Sequence, residues 1–126
     1  MISLALIAAL LPTPYVEVPA TFIRVIDGDT VEVRAHLPFD VHIDLVVRVS
    51  GIDCPEMRGL SARAGKKAKA FTETWATTYP DIVIQDTGVV SFDRVVSTVC
   101  PANGGKCLDD ALRDAGHFKV KENLGR

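Results

Sequence analysis

Hydrophobic and polar positions change period three times along the chain, and each change marks an element. Phe22–Ile26 is a strand candidate, and from Thr30 to Ala35 the pattern alternates strictly, with Val31, Val33 and Ala35 opposite Thr30, Glu32 and Arg34. A period of two is that of a strand buried on one face, and the Asp27–Gly28 pair between the runs predicts a hairpin turn. Ile43, Leu45, Val47 and Val49 continue the alternation in a third strand, which leaves Arg48 on the opposite side from the aliphatic residues. From Ala62 to Thr78 the period lengthens, because Ala64, Ala68, Phe71 and Trp75 recur at helical spacing. Tyr79 and Pro80 end this helix. Ile82–Gln85 and Phe92–Val99 read as two more strands, and Cys107–Ala115 as a short helix stopped by Gly116. Three strands, a helix, two strands and a helix predict a β-rich α+β fold: a five-stranded Greek-key barrel of the OB type with two packed helices.

The 126 residues suffice for one such domain, expected over residues 21–120, with a short tail at 121–126. Before it, residues 1–20 hold an apolar run, Ile2 to Leu11, that is too short to span a bilayer. Val18 and Ala20 suit cleavage of an export signal, although only the α-amino group supplies positive charge at its front. Two expectations follow: a signal peptide cut after Ala20, giving a secreted or periplasmic protein, or an apolar arm that docks on a protein or a membrane.

Charge changes the picture locally. The net formal charge is -2 and the isoelectric point about 5.9, which is not the balance of a general nucleic-acid binder. Yet Arg58, Arg63, Lys66, Lys67 and Lys69 fall between Met57 and Ala70 with no acid among them, so this window carries +5 and the rest of the chain -7. Such a run is either a solvated helix face or a basic surface for polyanions.

Of the three cysteines, Cys100 and Cys107 flank PANGGK, where Gly104 and Gly105 permit a reversal. In an oxidising compartment a bridge between them would contribute roughly 2 to 3 kcal/mol, leaving Cys54 as the odd thiol. A zinc site is disfavoured, since no Cys-x-x-Cys occurs and His36, His42 and His117 lack a finger spacing.

The chemistry concentrates in two acidic turns. Asp27 and Asp29 lie in IDGDT, Asp53 and Glu56 in IDCPE, and all four fall at the ends of strands that would be neighbours in a barrel. IDGDT alone is simply a turn, and it lacks the offsets of an EF-hand loop. Two converging acid clusters, however, repel unless a cation compensates, and oxygen-only donors suit calcium or another hard ion. Arg48, five residues before Asp53, and Arg94 would aim permanently charged planar forks at the same barrel mouth. A hard cation, two guanidinium groups and a free carboxylate are the parts of a phosphodiester-cleaving site.

The stretches TFIRVIDGDTVEV, VRVSGIDCPE, the helix after them, FDR and LDDALRDAG together resemble the staphylococcal nuclease (thermonuclease) family, over about Pro19 to Val120. That resemblance implies an OB-fold enzyme that cleaves DNA and RNA with calcium. It makes Asp29 and Asp53 carboxylate ligands of the ion, Cys54 a ligand through its backbone carbonyl, and Asp27 a support behind them. Arg48 and Arg94 would hold the phosphate, and Glu56 would act as general base. Arg58, Arg63, Lys66, Lys67 and Lys69 would supply the basic surface for nucleic acid. The chain departs from the family pattern where Cys54 replaces a threonine and where Ser91 and Phe92 replace a lysine and a tyrosine that grip a terminal phosphate. The loop after Glu56 is also shorter, and the family's last helix is missing, which implies a groove whose far wall is either open or supplied by a partner. The competing expectation is a non-catalytic OB module that binds nucleic acid or protein within a larger assembly.

Overall fold

A computed structural model describes residues 16–86, 88, 90–91 and 94–119. The elements run β1 (Val16–Asp27), β2 (Thr30–Leu37), β3 (Val41–Val49), α1 (Ala62–Thr78), β4 (Asp81–Asp86), β5 (Val90–Ser91), β6 (Arg94–Ser97), β7 (Val99–Pro101) and α2 (Leu108–Asp114). The β-rich α+β class and both helices therefore stand as expected.

The strand count needs correction: one sheet holds seven strand segments, in the order β5-β6-β3-β2-β1-β4-β7, where five strands were expected. What reads as a single fifth strand divides at Thr98. Before it, β6 pairs parallel with β3, Val47 opposite Val95; after it, β7 pairs antiparallel with β4, Val83 opposite Cys100. Ser97 holds the crossing, since its hydroxyl donates to the Thr98 carbonyl at 2.7 Å and accepts the Gln85 amide at 2.8 Å. One residue thus separates segments near opposite ends of the strand order, and the sheet curls into a half-barrel. An alternating sequence cannot announce this break, because both halves keep the same period. Phe92, the expected start of that strand, lies outside the described residues.

Burial follows the alternation through most of the sheet. Val31, Val33, Val47, Val49, Ile82 and Val99 are fully enclosed, and Leu108 and Leu112 of α2 close the core from one side. Each such side chain contributes about 1.5–3 kcal/mol on burial. Ile43 departs from its expected place, being 44% exposed, because β3 runs past the core at its start.

The buried face of α1 is also displaced from the expected one. Ala64 is exposed, and the face against the sheet is Gly65, Ala68, Thr72 and Trp75, with Phe71 half-buried. The cause is a close approach. A Cβ on Gly65 would stand 2.3 Å from the Glu56 carbonyl oxygen, so only glycine lets the helix lie against the loop that carries Glu56.

Cys100 and Cys107 are joined in a disulfide with Cα atoms 4.1 Å apart, across a loop in which Gly104 and Gly105 both take positive φ. β1 begins upstream of Thr21, and Val16–Ala20 pair with Asp86–Ile82 of β4. The apolar run Ile2–Leu11 lies outside the described residues.

Candidate functional site

The hairpin of β1 and β2 places Asp27, Gly28 and Asp29 at one rim of the half-barrel, and β3 ends beside it with Arg48 directly opposite Thr30. Residues opposed across a ladder share a face of the sheet, as do positions two apart on one strand. Arg94 opposes Val46, two residues before Arg48, so register alone sends both guanidinium groups to one side.

Asp29 anchors the arrangement. It is buried, yet both carboxylate oxygens have donors: Oδ1 accepts the Thr30 hydroxyl at 3.0 Å and Oδ2 the Cys54 amide at 2.8 Å. Its own carbonyl accepts the Val49 amide at 2.8 Å. The two acidic turns, 24 positions apart between Asp29 and Asp53, are thereby stitched into one rim.

Arg48 fills the space between them. Nη1 donates to the carbonyls of Val49 at 2.7 Å and Ile52 at 2.8 Å, while Nη2 lies 3.1 Å from Asp53 Oδ1 and 3.3 Å from Asp29 Oδ2. A planar fork suits this double duty of fixing a loop backbone and neutralising two carboxylates. Cys54 is enclosed beneath, its thiol donating to the His117 carbonyl at 3.2 Å. Burial first, and the neighbouring Asp29 charge second, push that thiol up to about 12, so it stays protonated and unreactive.

Asp27, Asp29, Arg48, Asp53, Cys54, Glu56 and Arg94 all line a single pocket of about 150 Å³, together with Thr30, Pro55 and Lys119. Arg58 sits in the adjoining hollow with Asp27, Glu56 and Met57. Arg63, Lys66, Lys67 and Lys69 belong to α1 and do not line the pocket; the first three are exposed and Lys69 half-buried. A larger cavity, of about 210 Å³, is lined by Val18, Ala35, Leu37, Ile43 and Leu45 among others and holds no ionisable side chain.

Sequence reasoning missed three contributors. Lys119 lies past the last element, where no periodicity singles it out. Its Nζ stands 3.2 Å from Glu56 Oε1 and 3.7 Å from Asp53 Oδ2, and its amide donates to the Asp53 carbonyl at 2.7 Å. The hydrogen bond to Glu56, and then the Asp53 charge, raise its pKa, so it is a fixed cation at neutral pH. Gly65 and Thr72 hold the acidic turns from below; a glycine inside a helix, costing about 1 kcal/mol against alanine, was the available signal for the first.

The donor set of this rim is oxygen throughout, which in chemistry fits a hard cation such as calcium. Asp29 Oδ2 and Asp53 Oδ1 already converge on one positive centre, the Arg48 Nη2. Among the described residues, no group of three or more Asp, Glu, His and Cys side chains has the arrangement of a metal site. No family model matches the chain, and no curated protein matches it in sequence.

Proposed function

We propose that this protein is a calcium-dependent nuclease of the staphylococcal nuclease type, hydrolysing phosphodiester bonds in DNA or RNA with little sequence preference. One observation carries the reading: Asp29, Arg48, Asp53, Glu56 and Arg94, drawn from four separate segments, line one small pocket at a barrel rim. Packing alone gives no reason to gather three carboxylates and two arginines there. The curled sheet supports an OB-type Greek-key barrel, with β6 and β7 as one strand bent at Thr98.

Each residue then has a task. Arg94, exposed at the pocket edge, takes a phosphate oxygen and stabilises the charge that develops in the transition state. Arg48 presents the same charge from a fixed position. Glu56, with its side chain 69% exposed, is open to the water whose proton it accepts. Asp29, Asp53 and the Cys54 carbonyl would hold the calcium ion, with Asp27 behind them, and the ion supplies Lewis-acid polarisation of the phosphoryl group. Arg58 and the α1 cations Arg63, Lys66, Lys67 and Lys69 steer the polyanionic backbone, whose contacts carry no base information. The disulfide supports export to a secreted or periplasmic compartment.

A second reading, a non-catalytic OB module that binds nucleic acid or protein, is favoured by the engagement of Arg48, whose two terminal nitrogens both rest on protein oxygens. Digestion of single-stranded DNA, duplex DNA and RNA in calcium and in EDTA, by the native chain and by Glu56→Gln, separates the two. Calcium-dependent cleavage that falls by about a hundredfold or more in the variant supports the enzyme; binding without cleavage in millimolar calcium supports the module.

A further inference from the structure

Lys67, Phe71 and Trp75 of α1 and Tyr79 at its C-terminal cap follow one another at four-residue spacing, which puts them in one stripe along the helix. Together with Thr74 and Thr78 they line an open groove of about 490 Å³, apart from the acidic pocket and unused by its chemistry. Trp75 is buried and forms the floor, its ring 5.0 Å from that of Tyr79 and 6.0 Å from that of Phe22. Phe71 and Tyr79 are only half-buried, and Lys67 is exposed.

Groove and pocket meet at the segment after α2. The His117 ring packs on Phe71 with centroids 5.0 Å apart, while the His117 carbonyl accepts the Cys54 thiol and the Lys119 amide donates to the Asp53 carbonyl. Phe118, between them, is 42% exposed. Charge along the groove is one-sided, because α1 carries Arg63, Lys66, Lys67 and Lys69 against a single acid, Glu73. Two half-exposed rings with a lysine at their head offer flat π-faces beside a positive charge, the pairing that holds single-stranded nucleic acid.

We propose that this groove is a base-stacking subsite for single-stranded nucleic acid, taking bases beyond the phosphodiester in the acidic pocket; the inference rests on the nucleic-acid reading of that pocket. Lys67 stands one turn from Phe71, towards the end of α1 where Gly65 touches the Glu56 loop, and takes a backbone phosphate there. Phe71 and Tyr79 lie about 12 Å apart along the helix, so separate bases meet them. Every base has a π-face, and the groove therefore adds affinity without sequence preference. Paired bases keep their faces inside the duplex stack and cannot use it.

The full chain is titrated in EDTA, where calcium-dependent cleavage is silent, with octathymidylate and with an abasic oligomer of the same length. Fluorescence anisotropy of the oligomers gives affinity, and Trp75, the single tryptophan, reports the groove by quenching. Octathymidylate should quench Trp75 and bind at least about fivefold tighter than the abasic strand. Phe71→Leu and Tyr79→Leu, with native circular dichroism, should each lose about five- to tenfold for octathymidylate and nothing for the abasic strand. Lys67→Ala should lower the salt slope by about 0.7, one phosphate contact. Equal affinity for the two oligomers, which needs no variant to detect, overturns the proposal, as do leucine variants that bind like the native chain. A dimer that Tyr79→Leu converts to monomer without changing octathymidylate affinity makes the groove a contact between copies and also overturns it. The nuclease reading fails separately: stacking as expected with no cleavage in calcium sinks that reading alone, and cleavage with unaltered binding in the leucine variants sinks this one alone.

Discussion

The Thr72 hydroxyl donates to the Gly28 carbonyl across 2.6 Å, tying the middle of α1 to the turn between Asp27 and Asp29. Both partners are buried, and a Cβ on Gly28 would meet the Ala68 Cβ at 2.8 Å and the Cys54 sulfur at 3.0 Å. One helix face therefore sets the height of both acidic turns, with Thr72 and Ala68 under Gly28 and Gly65 under Glu56.

Thr72→Val keeps the shape and leaves the Gly28 carbonyl without its donor, at a cost of about 1–3 kcal/mol. Gly65→Ala forces the helix and the Glu56 loop apart, at about 1–3 kcal/mol. Urea unfolding measures both. In cleavage assays on folded protein, Gly65→Ala should lose more activity than Thr72→Val, because it displaces the proposed base itself. Equal activity in Gly65→Ala and native protein would detach Glu56 from the chemistry.

Arg48 and Arg94 occupy the same pocket in different ways, and their alanine variants should differ accordingly. Arg48→Ala removes the neutralising partner of buried Asp29 and frees two loop carbonyls, so it should destabilise the fold by about 1–3 kcal/mol. Arg94→Ala, at an exposed side chain, should change stability by less than about 0.5 kcal/mol. Both should lower cleavage by roughly a hundredfold or more. Thermal unfolding beside kinetics at saturating calcium checks the asymmetry; full activity in an Arg94→Ala variant would remove Arg94 from the chemistry, and full activity in a folded Arg48→Ala variant would leave Arg48 as a purely structural staple.

What the residues announce is the repeating part of the fold. Strict alternation at Val31, Val33 and Ala35 fixed which face of β2 is buried, and the short separation of Arg48 from Asp53 within one strand and its loop kept them together in space. Contacts between distant segments are not periodic and left no such trace. The division at Thr98 depends on a change of partner from β3 to β4, which alternation does not register. Likewise the buried face of α1 turns by one position because Gly65 meets the Glu56 loop, and Lys119 reaches the acids only because α2 brings the chain end back over the rim. The convergence of Asp29, Asp53 and Arg94 was legible through their shared place at strand ends on one rim of a barrel, and through the likeness of whole motifs.

β1 bears on where the chain can be shortened. Five of its six pairs with β4, from Val16 opposite Asp86 to Ala20 opposite Ile82, precede Thr21, and Ala20 is buried. A chain beginning at Thr21 loses that ladder at about 1 kcal/mol per hydrogen bond and exposes an edge of β4. It should therefore unfold at least 3 kcal/mol more easily, by the same ladder estimate, than a chain beginning at Val16. Urea melts of the two, with mass spectrometry of any exported form, check this; an exported, stable product starting at Thr21 would contradict it.

Lys119 competes with any added cation for Glu56 and Asp53. Its two ion pairs are largely exposed, with side chains 39%, 63% and 69% accessible, so water and salt screen each of them to a weak interaction. Lys119→Met removes this internal competitor and leaves both carboxylates more negative in their surroundings. Calcium at half-maximal activity should then fall by about two- to fivefold. The raised pKa of Lys119 keeps it charged throughout the neutral range, so the shift should be the same at pH 6.5 and pH 8.5. Activity against calcium concentration at those two pH values, for native protein and Lys119→Met, gives the answer. A calcium requirement that rises in the variant would instead make Lys119 a phosphate contact, because the substrate would then have lost a cation that the metal does not replace.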